Sequence, residues 1–85
     1  MKRVTQVKPW SGYRIEVAFE DGLVGTVDLS SELYGPMFEP LRDPELFNQV
    51  RIDEFGVICW PNGADLAPEF VYGEIRRQST QLSAR

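Results

Sequence analysis

The chain has 85 residues, nine of them basic and thirteen acidic, for a net charge of −4, and it contains no histidine. That length makes one small domain, which buries roughly 60% of the surface its unfolded chain exposes; 42% hydrophobic and 12% aromatic content supplies a core and argues against disorder. An acidic surface without clustered Lys or Arg disfavours direct nucleic-acid binding, the lack of histidine excludes Ser-His-Asp and Cys-His catalysis within the chain, and the one cysteine, Cys59, excludes an internal disulfide.

A lone thiol fits a reducing cytoplasm. No apolar run reaches the length of a membrane span. Lys2 and Arg3 are not followed by the apolar stretch of a signal peptide, so none is expected. The two basic pairs, Lys2-Arg3 and Arg76-Arg77, read as solvated ends of the chain.

Residues 4–10 predict a first strand, ending near Pro9. From Tyr13 the pattern alternates: Tyr13, Ile15, Val17 and Phe19 on one side, Arg14, Glu16 and Glu20 on the other. This is a strand with one wet face. A second apolar run follows Asp21-Gly22 and predicts a hairpin. A two-residue loop would set Ile15 against Asp28 and Glu16 against Val27. A three-residue loop, Glu20-Asp21-Gly22, instead sets Phe19 against Leu23, Ile15 against Val27 and Tyr13 against Leu29, with Arg14 opposite Asp28 on the outer face. Only this register keeps apolar side chains together, and it puts Gly22 in the left-handed place of a bulged turn.

Between residues 29 and 34 a helical turn is expected, capped by Ser30 and ended by Gly35-Pro36. Residues 38–41 read as extended because of Pro40. Asp43-Pro44-Glu45 predicts a short helix, with Asp43 as cap and Pro44 at its first position. A second hairpin spans residues 50–60 around Glu54-Phe55-Gly56, with Ile52 opposite Ile58, Val50 opposite Trp60, and Cys59 on the far face beside Arg51. Asn62-Gly63 reads as a turn, and residues 68–75 as a third short helix. The fold class is α+β: two antiparallel β-hairpins plus an N-terminal strand, about five strands by this pattern, with short helices covering part of the sheet. Residues 1–77 form one compact domain, and residues 78–85 a polar tail expected to fray.

Several of these segments resemble a bacterial family of small proteins known as domain of unknown function 2442. The resemblance rests on Val17-Ala18-Phe19-Glu20-Asp21-Gly22, Val27-Asp28-Leu29, residues 38–47, Val50-Arg51-Ile52-Asp53, and residues 56–69. It implies a compact α+β domain with no assigned activity and no catalytic residues to carry across. Some relatives add a helix-turn-helix domain, for which this chain is too short. Similar genes often neighbour another small gene, which suggests an antitoxin-like subunit of a two-gene module.

Four residues stand out as candidate partner contacts or motif positions: Phe55, Trp60, Asn62 and Asp65. Phe55 occupies a tight turn where a large ring has little chance of burial, so it is expected to mark a protein contact or self-association. Trp60, with Trp10, Phe38, Phe47, Phe70 and Tyr72, either packs the core or lines an aromatic groove. Asp65 either presents a carboxylate to a cation or partner amide, or caps the last helix by accepting from Ala67. Asp28, Asp53, Asp65 and Glu69 lack any metal-ligand spacing and read as solvated carboxylates, so no metal and no cofactor is expected. Cys59 has no activating neighbour and reads as a structural thiol.

The function this predicts is a non-enzymatic protein–protein interaction module, acting on a protein partner or as a homodimer through a sheet edge or face. Two alternatives remain open: a regulatory subunit that reaches DNA through a basic partner, and an enzyme working through carboxylates alone.

Overall fold

A computed structural model describes residues 3–83, with side chains through residue 78. Strands β1 (Val4–Trp10), β2 (Arg14–Phe19) and β3 (Val24–Asp28) form an antiparallel sheet in the order β1-β2-β3. Strands β4 (Arg51–Ile52), β5 (Ile58–Cys59) and β6 (Asp65–Leu66) form a second, in the order β4-β5-β6. Between the sheets in sequence lie helix α1 (Gly35–Phe38), a 3₁₀ turn (Glu39–Arg42) and helix α2 (Pro44–Phe47); helix α3 (Pro68–Ser83) follows the second sheet.

The first hairpin takes the register that burial demands. Arg14 pairs with Asp28 and Ile15 with Val27. The Phe19 N–H donates to Leu23 O at 2.8 Å, and the Gly22 N–H donates back to Phe19 O at 3.0 Å. Gly22 has φ +97°, a conformation that costs an L side chain roughly 1–2 kcal/mol. The second hairpin repeats the construction: Ile52 pairs with Ile58 and Arg51 with Cys59, Asp53 bonds Val57 O, and Gly56 has φ +79°.

Beyond the hairpins the structure corrects five expectations. The described residues form six strands, because residues 60–64 close a third hairpin that pairs Ile58 with Leu66 and Cys59 with Asp65. Residues 30–34 are not helical; the Asp28 carboxylate captures the Ser30 N–H at 2.9 Å, a local bond that competes with helix formation. The helix begins where it was expected to end, because Pro36 occupies its first turn, where a missing N–H costs nothing. Pro40 likewise opens the 3₁₀ turn instead of extending the chain. Asp43 does cap α2, accepting from the Glu45 N–H at 3.1 Å. Helix α3 continues past Ile75 to Ser83, farther than the polar composition suggests; residues 84–85 of the expected tail lie outside the described residues.

One core spans both sheets. Ile15, Val17, Phe19 and Val27 from the first sheet pack with Ile58, Trp60 and Leu66 around the second, and with Leu41, Phe47, Val71 and Ile75 from the helical segments. Each fully buried large apolar side chain contributes about 1.5–3 kcal/mol. Helix α3 closes on β3 so tightly that a Cβ on Gly25 would stand 2.5 Å from Ile75 Cγ2. It is also fastened to the first loop, where the Tyr72 ring meets Phe19 edge-on at 4.9 Å and its hydroxyl donates to Asp21 at 2.5 Å. The sheets meet beside residue 3: the Val4 N–H donates to Gly56 O at 3.2 Å, and the Arg3 guanidinium donates to Glu54 O at 3.3 Å.

Candidate functional site

The segment from Trp60 to Leu66 organises the surface. Trp60 is not a contact residue: it is 1% exposed, and its indole N–H donates to Phe47 O at 2.9 Å. A ring that size in the centre of a small domain is worth more buried than displayed, and the bond satisfies its one polar atom. Phe47 lies 5.9 Å from the Trp60 ring and Phe38 lies 6.3 Å from it, edge-on. Trp60 therefore supports two surface depressions, one containing Phe38 and the other Phe47.

The first depression is an apolar groove of about 250 Å³ lined by Glu32, Tyr34, Phe38, Leu66 and Phe70. Tyr34 is 66% exposed, and Phe70 is also well exposed. Met37, another exposed apolar side chain, adjoins the groove through the chain and approaches the position that a Gly63 Cβ would take. Asn62 holds this corner. Its Nδ2 donates to Met37 O at 2.9 Å while its Oδ1 accepts from the Ala64 N–H at 3.1 Å. Asn62 is thus a clamp between the third hairpin and α1.

Asp65 does not cap α3. It is an exposed strand residue opposite Cys59, on the face away from buried Leu66. Phe55 is 68% exposed, as the tight turn requires, with its N–H donated to Asp53 Oδ1 at 2.8 Å. The loop that carries it and the loop that carries Asn62 leave β5 from opposite ends, so the four candidates do not form one site.

The second depression, about 520 Å³, is lined by Pro9, Trp10, Ser11, Gly12, Tyr13, Pro44, Phe47 and Asn48 and contains no ionisable acid or base other than a phenol. Tyr13 holds a left-handed backbone at φ +62°, unusual for a ring residue. Its hydroxyl donates to Arg42 O and its ring meets Phe47 edge-on at 5.4 Å. These contacts fasten the β1–β2 turn to α2.

Acidic groups serve the loops. Asp53 Oδ1 accepts from both Phe55 and Val57, and Asp21 Oδ1 from Leu23. The Asp28 carboxyl is held below its ordinary value by hydrogen bonds from the Ser30 backbone and side chain, with a smaller contribution from Arg14. No three His, Cys, Asp or Glu side chains converge on a metal position, and no helix is long and apolar enough to cross a membrane, among the described residues.

Tyr34 and Met37 were not singled out by sequence. Large apolar side chains flanking Gly35-Pro36, in a stretch too short to turn them inward, are the signal that marks them.

Fold and surface together define a small α+β domain whose one core underlies the two depressions just described. The family model described as Protein of unknown function (DUF2442) matches residues 4–77, and the chain belongs to that family. No curated protein and no solved structure matches the chain.

Proposed function

We propose that this domain is a protein-binding module without a catalytic role, and that it receives its partner in the groove of Tyr34, Phe38, Leu66 and Phe70. One observation carries the proposal: two well-exposed aromatic side chains line a single apolar groove, with Met37 adjoining it. Scattered exposed apolar residues are ordinary, whereas gathered ones mark contact surfaces. The partner segment that fits supplies apolar anchors, with a cation beside them to meet Glu32. The absence of buried polar or charged side chains among the described residues supports a binding role, since catalytic groups depend on environments that shift their pKa. Half-buried, unpaired Cys59 suits a reducing compartment.

The test compares capture of host proteins by the wild-type chain, by Tyr34→Ser/Phe70→Ser and by Phe55→Ser, each checked for folding by circular dichroism. Calorimetry with the purified captured protein then follows. The groove variant is expected to weaken binding at least tenfold, about 1.4 kcal/mol, while Phe55→Ser binds normally. Loss with Phe55→Ser and retention by the groove variant would move the contact to the other end of the second sheet.

A further inference from the structure

The first sheet has two unlike edges. Strand β1 is guarded: it carries a bulge at Thr5, an exposed Lys8 and Pro9, and its beginning is bonded to the Gly56 turn. Bulges, lysines, prolines and covering loops are the devices by which proteins keep a sheet edge from pairing. Strand β3, Val24-Gly25-Thr26-Val27-Asp28, has no bulge, no proline and no lysine.

Its hydrogen-bond phase follows from its ends. The Phe19 N–H donates to Leu23 O, and the Leu29 N–H donates to Tyr13 O. Bonded and non-bonded pairs alternate in an antiparallel ladder, so residues 23, 25, 27 and 29 spend their backbone groups on β2. The N–H and C=O groups of Val24, Thr26 and Asp28 point the other way, and no described residue pairs with them. The side chains of these same residues are exposed; Val24, an apolar one, is 56% exposed.

We propose that two copies of this chain join through the β3 edge, antiparallel about Thr26, so that their two three-stranded sheets become one. This register sets Thr26 opposite its own copy and Val24 opposite Asp28 of the second copy, and it engages every outward backbone group of the edge. It also satisfies charge. On the outer face the cross-strand row Lys8-Glu16-Thr26 continues into Thr26-Glu16-Lys8 of the second copy, so two threonines separate the glutamates. The neighbouring row, Trp10-Arg14-Asp28, runs into Val24 and Ala18 of the second copy, and no like charges meet. Opposed threonines are a favourable cross-strand pair, and like charges directly opposite are not. The inference concerns a surface other than the groove and stands whether or not the groove binds a partner.

Sedimentation velocity of the wild-type chain, over about 1 μM to 1 mM, is expected to show conversion to twice the monomer mass. Thr26→Lys places two ammonium groups opposite each other while leaving every bond to β2 intact, and should raise the dissociation constant about tenfold or more. Tyr34→Ser should leave dimerisation unchanged. Amide exchange read by NMR on the wild-type chain supplies the test that needs no variant: the Val24, Thr26 and Asp28 amides gain protection as concentration rises, and the Phe55 amide does not. A wild-type chain that stays monomeric to the top of the series overturns the proposal. So does a dimer in which those three amides exchange as fast as in the monomer. A Thr26→Lys chain that dimerises like wild type would do the same.

Discussion

Trp60 is the largest fully buried side chain among the described residues. It closes the third hairpin through Ala64, satisfies the Phe47 carbonyl, and stands beneath both Phe38 and Phe47. Truncating a buried tryptophan costs about 3–5 kcal/mol, against a total stability of about 5–15 kcal/mol for a domain. Trp60→Ala should therefore leave a chain that is largely unfolded or marginal, seen as lost ellipticity or a urea midpoint close to zero. Asp28 acts on a smaller scale. Its folded pKa lies below the ordinary carboxyl value, so the unfolded chain binds its proton more readily. The associated stability is present above the unfolded pKa and is lost as pH falls through the folded one. Because the group is exposed, solvent screening keeps the effect small. Asp28→Asn should lower stability slightly at neutral pH, and the difference from wild type should close as pH falls below about 4; an equal loss at every pH would show that the Ser30 bonds carry no such linkage.

At the scale of elements, three loops share one bond pattern. Residues 19–23, 53–57 and 60–64 each close with an N–H from the first residue to the last carbonyl, and a glycine N–H back to the first carbonyl. An Asx oxygen braces each loop: Asp21, Asp53 and Asn62. Two of these loops were legible because pairing apolar with apolar leaves only the three-residue register. The third obeys the same rule, setting Ile58 against Leu66, but Pro68 and an acidic Asp65 look like the entrance to a helix and hid β6. Proline misled elsewhere for a physical reason: its fixed φ serves an extended strand and a first helical turn alike, so Pro36 and Pro40 could not be assigned without tertiary contacts. The groove was illegible because exposure depends on what α3 covers, which no local pattern reports. The closeness of that helix makes a prediction. Gly25→Ala pushes a methyl to within 2.5 Å of Ile75 Cγ2 and 3.3 Å of its Cβ, so α3 itself must shift. Overpacking of this kind costs about 1–3 kcal/mol. A Gly25→Ala/Ile75→Ala pair, which removes both Cγ atoms that the new methyl would meet, should cost less than the sum of the two single changes, and purely additive effects in denaturant titrations would show that the two positions do not touch.

For the whole molecule the question is whether two sheets make one cooperative unit. The strands of the second sheet are two residues long and cannot bury a face of their own. Their apolar residues Ile58 and Leu66 belong to the same cluster as Ile15, Val17 and Val27. The joints are spread along the chain: Val4 to Gly56 at one end, Tyr13 to Arg42 and Phe47 in the middle, Tyr72 to Asp21 on α3. Losing any sheet or helix therefore opens the core shared by the rest, which is the condition for all-or-none unfolding in a small domain. Two probes can test this because the two tryptophans report different places. Trp60 is buried between Phe38 and Phe47, whereas Trp10 lies exposed on the outer face of the first sheet, its indole N–H donated to Glu16 Oε1 at 3.0 Å. In a Trp10→Phe background, fluorescence follows the helical block and second sheet alone, while far-ultraviolet circular dichroism follows all elements. The two urea transitions should coincide in midpoint and slope. If the fluorescence transition comes first, the second sheet and its helices melt as a separate unit, and the single core that joins β2 to β5 does not hold them together.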